Sequence, residues 1–320
     1  MIAVTGGAGF IGSAVVQVLT EQGHEVRIVD DLSKGQAAEK AGDQEFVLAD
    51  LRDAEQAKRA LEGAEVCIHL AAKIGGISYF HKYPATILSD NGVMLSSVFQ
   101  AAAEQGTKIV YVSSSMVFER TKQFPTPESA VADSPPPITH YGFSKLVGEY
   151  FCRAFYEEHN VPFVICRPFN AYGPGEMPDD EPGMAHVIPD LIKKVLRGDY
   201  PLEILGSGDQ TRCFTYVTDV AEGICLAGLS PSAENEDFNV GVNTEASIRS
   251  LAEQIWQQCG REEPFALRHA EPFQHDIQTR VPDTSKIERL LGWRPKVNLE
   301  EGLRRTIAWM QDPARAEIKT

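Results

Sequence analysis

The chain has 320 residues, 43% of them apolar, and its 45 acidic against 30 basic side chains leave a formal net charge of −15. That size can bury a large core with a smaller second lobe, while the negative balance argues against nucleic acid or an anionic membrane surface as partner, since both demand basic surface. No apolar run approaches the length of a spanning helix and the N-terminal stretch lacks a basic leader, so no membrane association and a cytoplasmic location are expected.

Met1 to Thr5 reads as a short buried strand that runs directly into Gly6-Gly-Ala-Gly9-Phe-Ile-Gly12. From Ser13 to Gln22 the apolar residues Ala14, Val15, Val18 and Leu19 have helical spacing, and Gly23 supplies a stop. Strand, glycine turn and helix in that order form a phosphate-binding unit, because glycines let the backbone approach a pyrophosphate at the positive end of the helix. The spacing at Gly6, Gly9 and Gly12 is G-x-x-G-x-x-G and departs from the G-x-G-x-x-G fingerprint. The next strand, Glu25 to Val29, ends in Asp30-Asp31, about 20 residues past the loop. A carboxylate there hydrogen-bonds the ribose 2′-hydroxyl of NAD and repels the 2′-phosphate of NADP, so NAD is the expected cofactor.

Strand and helix patterns alternate to about residue 167, which predicts a parallel sheet with helices on both faces and right-handed crossovers. Within this region Pro125 to Pro137 carries five prolines and predicts a loop beside the active site. The next helix holds Tyr141-Gly-Phe-Ser-Lys145, a tyrosine and a lysine on one helical face. A free phenol titrates near pH ~10, and a neighbouring ammonium is expected to pull that value down and make Tyr141 a usable base. After Pro174 the pattern loosens: Gly175 to Gly183 is rich in Pro, Gly and acids, and an apolar helix is predicted near His186 to Arg197 with a strand near Leu202 to Leu205. The six cysteines, at 67, 152, 166, 213, 225 and 259, show no Cys-x-x-Cys or metal-ligand spacing, so buried thiols in a reducing compartment and no metal are expected.

Together the glycine spacing, the acidic pair and Tyr141/Lys145 resemble the extended short-chain dehydrogenase/reductase family, in particular its NAD-dependent nucleotide-sugar epimerases and dehydratases. The resemblance covers nearly the whole chain. It implies a Rossmann-type doubly wound sheet, with residues 1–174 and about 215–245 in the NAD-binding domain. A discontinuous substrate lobe would take about 175–214 and 246–320. Val217 to Leu229 and Phe238 to Val242 resemble the family's returning helix and last strand, whereas the segment from Pro264 to Asp283-Thr-Ser-Lys286 is expected in the lobe.

Cofactor contacts implied by the resemblance are Gly6, Gly9, Phe10, Ile11, Gly12, Asp30, Asp31, Ser33, Asp50, Leu51, Leu70, Ala71, Ala72, Lys73, Tyr141, Lys145 and Pro168. Asn91 matches a structural asparagine. In the reaction it implies, Tyr141 removes a sugar hydroxyl proton, Ser114 hydrogen-bonds the same oxygen, and Lys145 holds the nicotinamide ribose. Ser114 is chosen from Ser113-Ser114-Ser115 because it lies three residues before Val117-Phe118. Substrate contacts would come from Ser114, Tyr141, Asn170, His186, Val187, Arg212 and Asp276.

The subfamilies differ at the positions just after the hydroxyl residue. The dehydratases place Asp-Glu there, the decarboxylases a glutamate in the same short segment, and the GDP-sugar 3,5-epimerases a cysteine where this chain has Met116; Glu119 lies too late to match. His186 and Lys73-Ile74-Gly75-Gly76 resemble the GDP-fucose synthases instead. The Arg-x-Gly-Asp often found before the last motif reads Phe273-Gln-His275-Asp276. The reading these features favour is 4-epimerisation of a UDP-hexose, glucuronate or N-acetylated analogue, through a 4-keto intermediate. A 3,5-epimerase or dehydratase, or a non-catalytic NAD-binding protein, are the alternatives. Apolar positions such as Val147, Phe151 and Phe155 on the helices near Pro84 to Gln105 and His140 to Asn160 suggest a homodimer face.

Overall fold

The structure, a computed structural model, describes residues 1–33, 44–74, 79, 82–178, 185–271 and 277–312. Seven strands form one parallel sheet: β1 (Ile2–Thr5), β2 (Val26–Asp30), β3 (Glu45–Leu48), β4 (Val66–His69), β5 (Lys108–Val112), β6 (Phe163–Pro168) and, after four short strands, β11 (Glu236–Val240). β1 and β6 are buried along their whole length, as expected of strands covered on both faces. Across the sheet the order is β11-β6-β5-β4-β1-β2-β3, so the winding reverses where β1 lies between β2 and β4. Thr5, the last residue of β1, is paired with Val29 on one side and His69 on the other.

Helices cover both faces. The Phe10–Glu21 and Val217–Leu229 helices share one apolar cluster with β1, β2 and β6, and the Pro84–Gln105 and His140–His159 helices share the other with β4 and β5. The long helices start and stop on chemistry visible in the sequence. Pro84 opens one and left-handed Gly106 ends it; Thr139 caps the other by accepting from Gly142 N, and Asn160, with φ 56°, closes it. Among the described residues no helix is long and apolar enough to cross a membrane.

Between β6 and β11 come the short strands β7 (Ala171–Tyr172), β8 (Leu202–Leu205), β9 (Thr211–Arg212) and β10 (Thr215–Tyr216), and after β11 come β12 (Ala246–Ser247) and β13 (Leu267–Ala270). β8 pairs with β13 and β9 with β12. A third apolar cluster joins the Val187–Arg197, Ile248–Gln258 and Leu299–Gln311 helices, and within it Trp256 donates to Glu263 O at 3.0 Å.

One boundary differs from expectation. The Ser285–Leu291 helix packs on the sheet domain, where Ile287 and Trp293 join the first apolar cluster. Lys286 pins it there by reaching Asp237 of β11 at 2.6 Å. Val147, Phe151 and Phe155 also turn inward: they pack against the second cluster, with Phe99 5.6 Å from Phe151 and 5.4 Å from Phe155 between ring centres. Five cysteines are buried, Cys259 is half-buried, and all six are free thiols.

Candidate active site

A cleft of about 820 Å³ opens at the carboxyl ends of the strands, beside the reversal point. One end is lined by Gly6, Gly9, Phe10, Ile11, Asp30, Asp31, Ser33, Asp50 and Leu51; the other by Asn170, His186, Val187 and Arg212. Leu70, Ala71, Ala72, Lys73, Ser114, Tyr141, Lys145 and Pro168 line the stretch between. Residues from far-apart segments thus share one continuous space.

At the glycine end, Gly9 is the N-cap of the Phe10–Glu21 helix and no side chain caps it, which leaves the first amides of the helix for an anion in the cleft. Gly12 was expected among the cofactor contacts and does not line the cleft. A Cβ there would stand 2.0 Å from Gly6 O, so this glycine lets the helix seat on the turn. Asp30 accepts from Ala8 N at 3.1 Å and Leu32 N at 2.8 Å, tying the same turn to the end of β2. Burial pushes its carboxyl above the usual range.

Further along, Asp31 accepts from Ser33 N at 2.9 Å and lies 4.0 Å from Lys73 Nζ. Asp50 is gripped by Arg52 through Nε at 2.9 Å and Nη2 at 2.7 Å, and that bond holds its carboxyl below the ordinary range. Asn91 accepts from Lys73 N at 2.7 Å and donates to Ser144 Oγ at 3.1 Å, linking the cleft floor to the Tyr141 helix. An uncapped helix start, a turn closed to side chains and a buried acid at the end of β2 fit a dinucleotide.

In the middle of the cleft, Tyr141 and Lys145 are both 5% exposed. Gly142 brings their helix against the turn after β5, because a Cβ there would meet Met116 O at 2.8 Å. Glu119 fixes the same junction by accepting from Thr139 N at 2.9 Å and Oγ1 at 3.1 Å. The Tyr141 phenol is hydrogen-bonded to Ser114.

The Tyr141 shift runs opposite to the expected lowering, and burial sets its direction. Burial raises the Tyr141 phenol well above its ordinary value, and the Ser114 hydrogen bond and the Arg280 charge only oppose that shift. Lys145 donates to Val112 O at 2.8 Å, and burial lowers it to about 8. Behind it, buried His69 bonds Thr5 Oγ1 at 2.7 Å; burial first, then the Lys145 charge, lowers its imidazole to about 3, so it is neutral.

At the far end, Asn170 holds φ 40° and donates from Nδ2 to Cys213 O at 3.0 Å. Arg212 Nη1 donates to Thr211 O at 2.8 Å. His186 is the N-cap residue of the Val187–Arg197 helix, and its Nδ1 contacts the Glu176 carboxylate. Asp276 lies outside the described residues.

Among the cleft residues that the sequence did not point to are Glu176 and Arg280, whose Nη2 lies 2.9 Å from Met116 Sδ and Nη1 3.5 Å from Ser115 Oγ. Arg280 stands three residues before Asp283-Thr-Ser-Lys286, where the sequence alone puts it next to nothing.

A profile of the NAD dependent epimerase/dehydratase family matches residues 2–241. The chain is 32% identical over 319 residues to the UDP-N-acetyl-alpha-D-glucosaminuronate decarboxylase of Bacillus cytotoxicus, covering 97% of each protein. It is 31% identical over 321 residues to the UDP-glucose 4-epimerase of Mycolicibacterium smegmatis, covering 98% of this chain and 99% of that one. Among solved structures, the UDP-glucose 4-epimerase of Thermotoga maritima with UDP-glucose superposes with a TM-score of 0.87 at 31% identity, covering 99% of both chains.

Proposed function

We propose, from the premise that this chain belongs to the NAD dependent epimerase/dehydratase family and is an NAD-dependent nucleotide-sugar enzyme, that it inverts C4 of a nucleotide-activated hexose, a UDP-hexose by preference. The observation that carries this reading is the residue beside the reacting hydroxyls. Where proton transfer at C3, C5 or C6 would need an acid or base, Met116 offers a thioether against Arg280. Glu119, the nearest carboxylate along the chain, is engaged by the Thr139 cap. Inversion at C4 needs no further acid or base.

NAD, when bound, supplies a hydride acceptor that serves as donor in the return step. The amides at Gly9, Phe10 and Ile11 would hold its pyrophosphate, Asp30 its adenosine ribose, Asp50 and Leu51 the adenine side, and Lys145 the nicotinamide ribose. Tyr141 takes the 4-hydroxyl proton and gives it back to the 4-keto oxygen, and Ser114 hydrogen-bonds that oxygen throughout. The oxidised sugar must turn over between these events. Arg212, Asn170 and the amides at Val187 therefore grip the nucleotide diphosphate, which does not react.

A second reading, proton exchange at C3 or C5, has one specific support: the Glu176–His186 pair in the same cleft is a carboxylate-oriented imidazole. Incubation with UDP- and GDP-hexoses in deuterium oxide, followed by NMR, separates the two. The expected product is inverted at C4 and carries no carbon-bound deuterium. Stoichiometric deuterium at C5 would overturn the proposal and make His186 the first residue to replace.

A further inference from the structure

Behind the reacting groups, outside the cleft, Glu149 and Arg167 are completely buried and form a forked ion pair. Arg167 donates from Nε to Glu149 Oε1 and from Nη2 to Oε2, both at 2.7 Å. Glu149 lies one turn beyond Lys145 on the Tyr141 helix, and Arg167 precedes Pro168 at the end of β6. Each member also holds the segment that carries Ser114. Ser113 Oγ donates to Glu149 Oε1 at 2.6 Å, and the Arg167 guanidinium lies 5.2 Å from the centre of the Phe118 ring. Ser113 and Phe118 bracket Ser114, so both ends of that segment are anchored to one ion pair.

Stability is a poor account of this arrangement. A buried pair recovers its desolvation only when its remaining hydrogen-bonding groups are satisfied, and Arg167 Nη1 is buried with no hydrogen-bond partner. The guanidinium is nonetheless charged: burial works against it, but Glu149 and Asp237 outweigh burial and hold its pKa up. Asp237 lies 2.8 Å from Arg167 Nη2 and continues the chain of charges to Lys286 at 2.6 Å. The Tyr141 helix, β6, β11 and the Ser285–Leu291 helix are thus joined through charges that end on the Ser113 hydroxyl and the Phe118 ring.

We propose that the Glu149–Arg167 pair is a positioning device for Ser114, holding the Ser113–Phe118 segment against the Tyr141 helix so that both hydroxyls meet one substrate oxygen. Neither residue lines the cleft, and their effect passes through Ser113 and Phe118. The proposal rests on the reading that Ser114 and Tyr141 share the reacting hydroxyl. A displacement of about 1 Å at such a site lowers rates by roughly a hundredfold.

The test uses Ser113→Ala and the double variant Glu149→Leu/Arg167→Met, which removes both charges together instead of stranding one. Each is made with and without Ser114→Ala, and kcat, KM, NAD affinity and melting temperature are read. The expected result is a folded protein with NAD affinity within about threefold and kcat lowered about tenfold or more, the loss falling on kcat and not KM. Ser114→Ala should then lower kcat much less in the altered backgrounds than in the wild type, because the residue it removes is already misplaced. An unchanged kcat, or the same Ser114→Ala factor in every background, overturns the proposal.

Should the double variant fail to fold, Ser113→Ala carries the comparison, since it removes a single hydroxyl. Crystal structures give a readout that needs no turnover. Expected is an opening of the Ser114 Oγ to Tyr141 Oη distance by about 1 Å, and an unchanged distance refutes the device. Failure of the 4-epimerase reading looks different: the wild type itself would form another product, and the ratios between variants would still decide the proposal on that reaction.

Discussion

Lys145 Nζ stands 6.0 Å from the centre of the Tyr141 ring and directs its hydrogen bond to the carbonyl of Val112. The two side chains share a helix face and a cleft, and desolvation dominates both: the phenol is pushed up and the ammonium down. For Lys145 to support a phenolate directly, its ammonium must gain from ligands in the cleft the solvation that its buried setting withholds.

The Lys145 shift has a definite sign in stability. Its value of about 8 in the folded protein is below the ordinary 10.5, so the unfolded chain binds more protons between those values and stability rises with pH across that window. Denaturant unfolding of the wild type and Lys145→Met from pH 7 to pH 10 checks this. The wild type is expected to gain on the variant by on the order of 3 kcal/mol as pH rises. A difference that does not move with pH would count against the buried ammonium.

Tyr141→Phe removes one hydroxyl from a packed ring. Folding and NAD binding are expected to survive, while turnover on the best sugar nucleotide falls by ~10²-fold or more. Turnover near the wild-type rate would remove Tyr141 from the mechanism. Lys145→Ala is expected to do at least as much harm and to weaken NAD as well.

Cofactor choice rests on Asp30, held at the end of β2 by Ala8 N and Leu32 N and lining the cleft. Its charge is expected to make NADP bind at least about tenfold more weakly than NAD. Calorimetric titration with both cofactors is the measurement, and equal or tighter NADP binding would contradict the assignment.

The homodimer expectation now moves to other residues. Phe143 and Tyr150, 38% and 65% exposed, share one face of the His140–His159 helix, and Val93, 44% exposed, lies on the neighbouring Pro84–Gln105 helix. Light scattering at micromolar concentration is expected to give twice the chain mass, and Tyr150→Lys with Phe143→Lys to reduce it to one. A monomeric wild type would leave these side chains as ordinary surface.

Local rules made much of this molecule legible from its sequence. The buried strand and glycine turn at residues 1–12, the helix spacing, and the helix bounds near Pro84 to Gln105 and His140 to Asn160 depend on near neighbours, and they stand close to where the pattern puts them. Tyr141 and Lys145 share a face because helical geometry alone requires it. What tertiary structure decided were the contacts whose partners are far apart in the chain. Arg280 reaches Met116 across 164 positions, His69 meets Thr5 across 64, and Ser113 meets Glu149 across 36. Desolvation is likewise a property of the assembled core, so the sign of the Tyr141 shift could not be read from a lysine one turn away. Sequence spacing specifies which groups share an element; only packing specifies how much water they lose and which distant charge replaces it.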